Sequence, residues 1–302
     1  MSTLELLSTL RKDRFHLLVN LTPSERSHTQ VIRDLLFFKA CGIKNLLGFI
    51  PFERKELYPL NLEGKPGPVS SEAWWRMERL RRDGLPCDPA ATLATPFLYP
   101  KREEIQKVDR WLADRRTSSA KPLVGIAPGS KQPADIWPLD RFIAVGERLR
   151  ETQACEMVVI GGPNERSAGE QCVSAWRTGL NAAGSFTVLE SLALIHKCAF
   201  LVGLDTGTTH IAAAVGVPCV AIYSDKDNPG RWNPLGDGHI LLRQRVPCGG
   251  CRLNMDPCNV PGHPCIEGIL VDEVWEAVET MLKRTLAQSR PTATQIPKWP
   301  IS

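Results

Sequence analysis

Long apolar runs are missing from this chain of 302 residues. The longest nearly uncharged stretch, residues 211–223, is broken by Gly216 and Pro218 and falls short of the roughly 20 residues a membrane-spanning helix needs. A secretory signal is not read either. Met1-Ser2-Thr3-Leu4-Glu5-Leu6-Leu7 has no basic segment ahead of a clean apolar core, so a cytoplasmic protein is expected. A charge excess is also absent: the net charge is +4, and basic residues alternate with acids in stretches such as 101–116. That pattern excludes a broad nucleic-acid surface and leaves a small anionic ligand open. No Gly-x-Gly-x-x-Gly follows a strand, which speaks against an NAD-dependent oxidoreductase, and the P-loop spacing is missing. Neither an internal repeat nor a low-complexity tract is present.

What remains is the composition of a globular protein, 43% apolar and 23% charged, with length for two domains. The first half predicts a buried strand over 15–21, a helix over 27–40 and a strand over 44–49. An exposed Pro/Gly-rich loop over 51–68 comes next, then a helix near 71–83, an irregular proline-rich stretch over 86–100 and a helix over 101–116. Residues 117–122 read as a linker. From 123 the alternation becomes regular: strands over 123–127, 156–160, 200–204 and 219–223, and helices over 139–151, 164–177, 188–198 and 208–215. Such alternation predicts an α/β fold with a parallel sheet covered on both faces. The expected domains are 1–116 and 123–286, with a tail over 287–302.

Ligands of such sheets sit beyond the carboxyl ends of the strands, and three loops follow strands there. The most informative is Asp205-Thr206-Gly207, where an apolar run turns into an Ala-rich helix containing His210. Free N–H groups at that helix start favour an anion, with Gly207 permitting close approach, although Asp205, Thr206 or Thr208 could equally serve as a structural cap. Gly129-Ser130-Lys131 offers backbone, hydroxyl and cation for a diphosphate, or a plain turn with a solvated lysine. Glu165 in Gly161-Gly162-Pro163-Asn164-Glu165 can accept from a ribose diol, or simply complement a helix dipole. Trp137-Pro138 reads as a packing wedge that starts a helix.

Six of the ten cysteines (Cys41, Cys87, Cys155, Cys172, Cys198 and Cys219) lie in apolar surroundings, where buried thiols are common. The other four are spaced Cys248-x2-Cys251-x6-Cys258-x6-Cys265, with His263 close by. A structural zinc, thiols and a disulfide all remain open for them.

The run Pro128-Gly129-Ser130, Trp137-Pro138-Leu139-Asp140-Arg141-Phe142, Gly161 to Glu165, Asp205-Thr206-Gly207-x-x-His210, Ala221-Ile222-Tyr223 and Arg231-Trp232-x-Pro234-x-Gly236 resembles the C-terminal domain of the heptosyltransferase family, glycosyltransferase family 9. The match in order and spacing covers residues 121–285, and residues 10–50 resemble the middle of that family's N-terminal domain. The resemblance implies the GT-B architecture of two Rossmann-like domains, the N-terminal acceptor-side one incomplete. It also implies inverting, metal-free transfer of a sugar from a nucleotide diphosphate donor to a glycan or lipid-linked saccharide acceptor of lipopolysaccharide type. Peripheral contact with the inner face of the membrane is the most such a role requires. Ser130 and the Asp205-Thr206-Gly207 turn would hold the diphosphate, Glu165 the nucleoside and His210 a phosphate or sugar oxygen. Two departures stand out. Asp135 occupies the place of a lysine that usually contacts the donor phosphates, so either Lys131 supplies that charge or donor binding is weakened. The chain also begins after the strand and loop that carry the family's presumed general base, so the catalytic residue is not identified. A nucleotide-sugar-binding relic, or a subunit completed by a partner, is the competing expectation.

Overall fold

The structure, a computed structural model, describes residues 2–90, 97–253, 258 and 260–287. It divides into two compact units, and the chain first passes from one to the other between residues 90 and 97. The expected tail beyond 287, and residues 91–96 of the proline-rich stretch, lie outside the described residues.

The first unit opens with α1 (Thr3–Asp13), started by a reciprocal box in which Ser2 Oγ accepts from the Glu5 N–H and the Glu5 carboxylate from the Ser2 N–H. Strand β1 (Leu17–Val19), α2 (His28–Ala40) and β2 (Asn45–Leu47) follow, and the two strands pair in parallel. Ser27 caps α2, its hydroxyl accepting the Gln30 N–H at 3.3 Å. The buried strand expected at 15–21 is instead short and exposed, with Leu17 at 50% and Val19 at 42%. Its sheet has two strands, and no described element covers these side chains. The loop expected to be exposed over 51–68 also differs. It contains α3 (Arg54–Leu57), and Phe52 and Leu57 are buried against Trp75 of α4 (Glu72–Arg82). Three apolar side chains spread along a polar stretch find each other only in space.

The second unit holds a six-stranded parallel sheet. In chain order its strands are β3 (Leu123–Ala127), β4 (Glu156–Val159), β5 (Leu180–Asn181), β6 (Cys198–Leu204), β7 (Cys219–Tyr223) and β8 (Ile240–Arg243). Their spatial order is β5-β4-β3-β6-β7-β8, the doubly wound order in which the chain reverses direction between β3 and β6. One face packs against α6 (Leu139–Thr152), α7 (Arg166–Trp176) and α11 (Val271–Ala287), through Val124, Ile126, Phe200, Val202, Val220 and Ile222. Positions on the opposite face are smaller: Gly125, Ala127, Gly203 and Ala221 lie in register with neighbouring strands. A Cβ on Gly125 would stand 2.7 Å from Leu201 Cδ1, which is why no larger residue fits there. Other helices of this unit are α5 (Arg102–Ala113), α8 (Val188–His196), α9 (Gly207–Ala214) and the short α10 (Pro264–Glu267).

Two parts of the expected domain division change. Helix α5 belongs to the second unit, where Lys107 and Asp109 pair with Glu190 and Lys197 at 2.6 and 2.8 Å and Trp111 meets Phe186 edge-on. Residues 117–122 are tied down at their start, because the buried Glu156 carboxylate accepts from Arg116 Nε (2.8 Å) and the Thr117 N–H (3.2 Å). Conversely, Asp225–Gly236 and Pro247–Arg252 belong to the first unit.

Candidate functional site

The reversal between β3 and β6 places the loops that begin at Pro128 and Asp205 after adjacent strands at the carboxyl edge of the sheet, the position where ligands of such sheets bind. Helix α9 starts at Gly207 with Thr206 at its N-cap, and the Thr206 side chain makes no capping bond. The helix start therefore keeps N–H groups available to an external acceptor. Bracing comes from behind: Thr209, fully buried, donates its hydroxyl to the Leu204 carbonyl at 2.6 Å. A Cβ on Gly207 would meet nothing within 4 Å, so the space above the turn is open. His210, one turn in, holds Nε2 3.7 Å from Asp205 Oδ1 and is 38% exposed.

Across the reversal, Ser130 Oγ accepts the Gln132 N–H at 3.1 Å, which tightens the loop after β3, and Lys131 is exposed. Glu165 belongs to the loop after β4, yet a Cβ on Gly129 would lie only 2.3 Å from Glu165 Cγ, and one on Gly161 2.7 Å from Glu165 Cβ. Its carboxylate accepts the Gly162 N–H at 2.6 Å. Glycines in both loops thus make room for one acidic side chain that lies across the edge of the sheet. Sequence-predicted residues from three separate loops come together here in two groups, Gly129 with Glu165 and Asp205 with His210.

Asp135 is turned inward. It is 1% exposed and accepts the hydroxyl of Ser224, the residue after β7. The Asp135 carboxylate is therefore a buried brace between the 133–135 turn and the end of β7. The neighbouring Trp137 is fully buried, donates Nε1–H to the Ile269 carbonyl at 2.9 Å and packs edge-on against Phe142, so it is the expected wedge. Tyr223 is the last residue of β7 and is buried. Burial, together with the Asp205 carboxylate, holds its phenol well above the ordinary range, and Arg243 covers its ring at 5.2 Å. Ser224 and Arg243 were missed, and their place at the carboxyl ends of β7 and β8 is the signal that could have found them.

The cysteine cluster divides. Cys248 and Cys251 are exposed in the first unit, Cys258 is half-buried and Cys265 buried in the second, and none of the ten cysteines is in a disulfide. Among the described residues no three His, Cys, Asp or Glu side chains are grouped to hold a metal. An open cavity of about 500 Å³ at the opposite edge of the sheet is lined by Lys121, Arg150 and Arg177. Arg150 and Arg177 stand at the C-terminal ends of α6 and α7, where the helix dipoles account for them.

Lipopolysaccharide heptosyltransferase 2 of Escherichia coli K12 is 28% identical over 161 residues, 51% of this chain and 46% of that protein. The chain thus spans about half the length of the curated relatives it matches. The solved structure of a family 9 glycosyltransferase from Veillonella parvula aligns with a TM-score of 0.70 at 20% identity, over 94% of this chain and 79% of that one. The E. coli ADP-heptose LPS heptosyltransferase II aligns with a TM-score of 0.63 at 20% identity, over 94% and 81%. These likenesses show the GT-B fold. The family model of glycosyltransferase family 9 (heptosyltransferase) matches residues 90–259, more than half of the sequence, and the chain belongs to that family.

Proposed function

We propose that this chain binds a nucleoside diphosphate sugar at the carboxyl edge of its six-stranded sheet and takes part in inverting transfer of the sugar to a saccharide hydroxyl of lipopolysaccharide or a similar glycan. The observation that carries the reading is the uncapped start of α9 beside open space at Gly207, located at the strand-order reversal. Its N–H groups, with Ser130, Lys131 and His210, suit the diphosphate, and Glu165 suits the ribose hydroxyls. In the transfer, the acceptor oxygen bonds to the anomeric carbon from the face opposite the diphosphate. The bond from that carbon to the phosphate oxygen breaks, its electron pair leaves with the diphosphate, and a base takes the acceptor proton. Helix N–H groups and cations fixed before the reaction stabilise the charge that gathers on the leaving group. Among the described residues no helix is long and apolar enough to cross a membrane.

Calorimetry with ADP, GDP and UDP tests the donor half of the reading, whatever the rate of transfer. ADP is the expected ligand, since an ADP-heptose enzyme shares the fold. The double variant Asp205→Ala/Gly207→Val should lose at least about tenfold in affinity, or 1.4 kcal/mol. Binding that survives both changes would make the turn purely structural.

A further inference from the structure

The register of the six-stranded sheet places three residues of its carboxyl edge in one row. Leu204 pairs with Ile222 and Tyr223 with Arg243, so Asp205, the residue after Leu204, stands level with Tyr223 and Arg243 across β6, β7 and β8. Alternation puts Tyr223 and Arg243 on the face of Gly203 and Ala221, opposite the face of Leu204 and Ile222 that packs into the main core. Helix α9 covers the same face. A Cβ on Gly203 would lie 3.2 Å from Thr209 Oγ1, and the Cys219 thiol donates to the Thr209 carbonyl at 3.8 Å. The start of α9 and the row therefore meet at one corner of the sheet.

An anion bound at this corner needs a cation that is held in place. Asp205 and the buried Asp135 both act on the Tyr223 phenol, and a diphosphate would add further negative charge. Lys131 is exposed, so water screens most of what its ammonium offers, and His210 carries charge only when protonated. Arg243 differs from both. Its guanidinium lies over the Tyr223 ring, 5.2 Å from the centroid, and that ring is fixed by burial at 1% exposure. Arg243 is itself partly buried, on a strand two spacings, about 10 Å, from β6, and stacking turns its planar fork of donors inward over β7. On the receiving side Thr206 Oγ1 is buried with no hydrogen-bond partner among the described residues, beside the uncapped start of α9.

From this row, and resting on the donor-site reading above, we infer that Arg243 is a donor-binding residue whose guanidinium reaches the diphosphate held at the start of α9, with Tyr223 as the platform that aims it. An arginine fork can meet two phosphate oxygens at once, which a solvated lysine does not. The leaving diphosphate thereby has a cation in place before the sugar departs, where electrostatic stabilisation acts on the transfer.

Calorimetry of the full chain with ADP and with pyrophosphate tests the assignment without requiring transfer. Arg243→Gln should bind ADP about tenfold or more weakly than the parent, and pyrophosphate should lose the same factor, since it presents the diphosphate and no nucleoside. Arg243→Met keeps an unbranched stem over the Tyr223 ring without the charge and should match Arg243→Gln, so the answer does not hang on one variant, and circular dichroism checks that each is folded. Arg245→Gln removes a neighbouring exposed arginine and should stay within about twofold of the parent for both ligands. Unchanged ADP affinity in the Arg243 variants, a loss confined to ADP, or an equal loss in Arg245→Gln overturns the role of Arg243 and leaves the donor site standing. Failure of the parent to bind ADP overturns both.

Discussion

Replacing Gly129 by alanine separates what the donor loop does for the fold from what it does for a ligand. The added methyl would stand 2.3 Å from Glu165 Cγ and 2.8 Å from its Cδ, well inside contact distance. Gly129 does not adopt a left-handed backbone, so alanine carries no conformational penalty there. The clash is instead relieved by swinging Glu165 aside, and the carboxylate then gives up the Gly162 N–H it accepts at 2.6 Å. On the folded chain alone the effect is small, about 1 kcal/mol for one half-exposed hydrogen bond.

On nucleotide binding the same change is larger, because the displaced carboxylate is the group proposed to hold the ribose hydroxyls. A hydrogen bond to a charged group contributes about 1.5–3 kcal/mol, which is roughly a 10- to 150-fold loss of ADP affinity. Pyrophosphate lacks the ribose and should bind both proteins alike. Glu165→Ala should lose a comparable amount, and adding Gly129→Ala to it should cost little more, since the clash has then lost its partner. Calorimetric titration of the four proteins with ADP and with pyrophosphate decides the matter. Unchanged ADP affinity in Gly129→Ala, or full additivity in the double variant, would refute the placement of Glu165 over the donor.

Thiol labelling at pH 8 should modify the exposed Cys248 and Cys251 first. Burial raises Cys155 and Cys172 to about 11, leaving roughly one molecule in a thousand as reactive thiolate, and mass spectrometry of the labelled peptides would show Cys172 reacting as fast as Cys248 if that burial were wrong. Gly230→Ala should destabilise the first unit by about 3 kcal/mol or more, as a left-handed backbone with φ +98° is combined with a methyl 2.0 Å from the Val69 oxygen. Thermal unfolding measures this, and a midpoint within 2 °C of the parent, a margin set by roughly 2–4 °C per kcal/mol, would contradict the docking of Asp225–Gly236.

The second unit was legible wherever both faces of a strand are buried. Leu123–Ala127 and Cys219–Tyr223 lie where the apolar runs place them, because burial on two sides leaves an uninterrupted apolar signature. Edge strands carry less of it. Leu180–Asn181 has two residues and Ile240–Arg243 is partly exposed along its length, and neither is among the expected elements. Helix Val271–Ala287 is also absent from the expectation, although its buried positions Val274, Ala277, Val278, Met281 and Leu282 follow the helical repeat. The donor loops were readable because anion binding at a helix start needs only local chemistry. Even there the competing idea of a side-chain cap at Thr206 could be tested only against coordinates.

The first unit resisted reading for a physical reason. Its interior is held together by arginine and glutamate as much as by apolar side chains, and such residues look like surface until their partners are known. Glu72, Arg79 and Arg231 are each at most 3% exposed, and Glu72 and Arg231 are 159 positions apart. No periodicity links two buried charges at that separation. The motif Arg231-Trp232-x-Pro234-x-Gly236 resembles the family's C-terminal domain by its place in the sequence, yet the backbone and guanidinium of Arg231 complete the first unit. A domain boundary drawn once along the chain therefore misassigns the residues that matter most to it, since removing Arg231 would leave Glu72 buried with less of its charge met, at a cost of about 3–5 kcal/mol. Arg231 is accordingly a structural member of the unit that the sequence would have left without it.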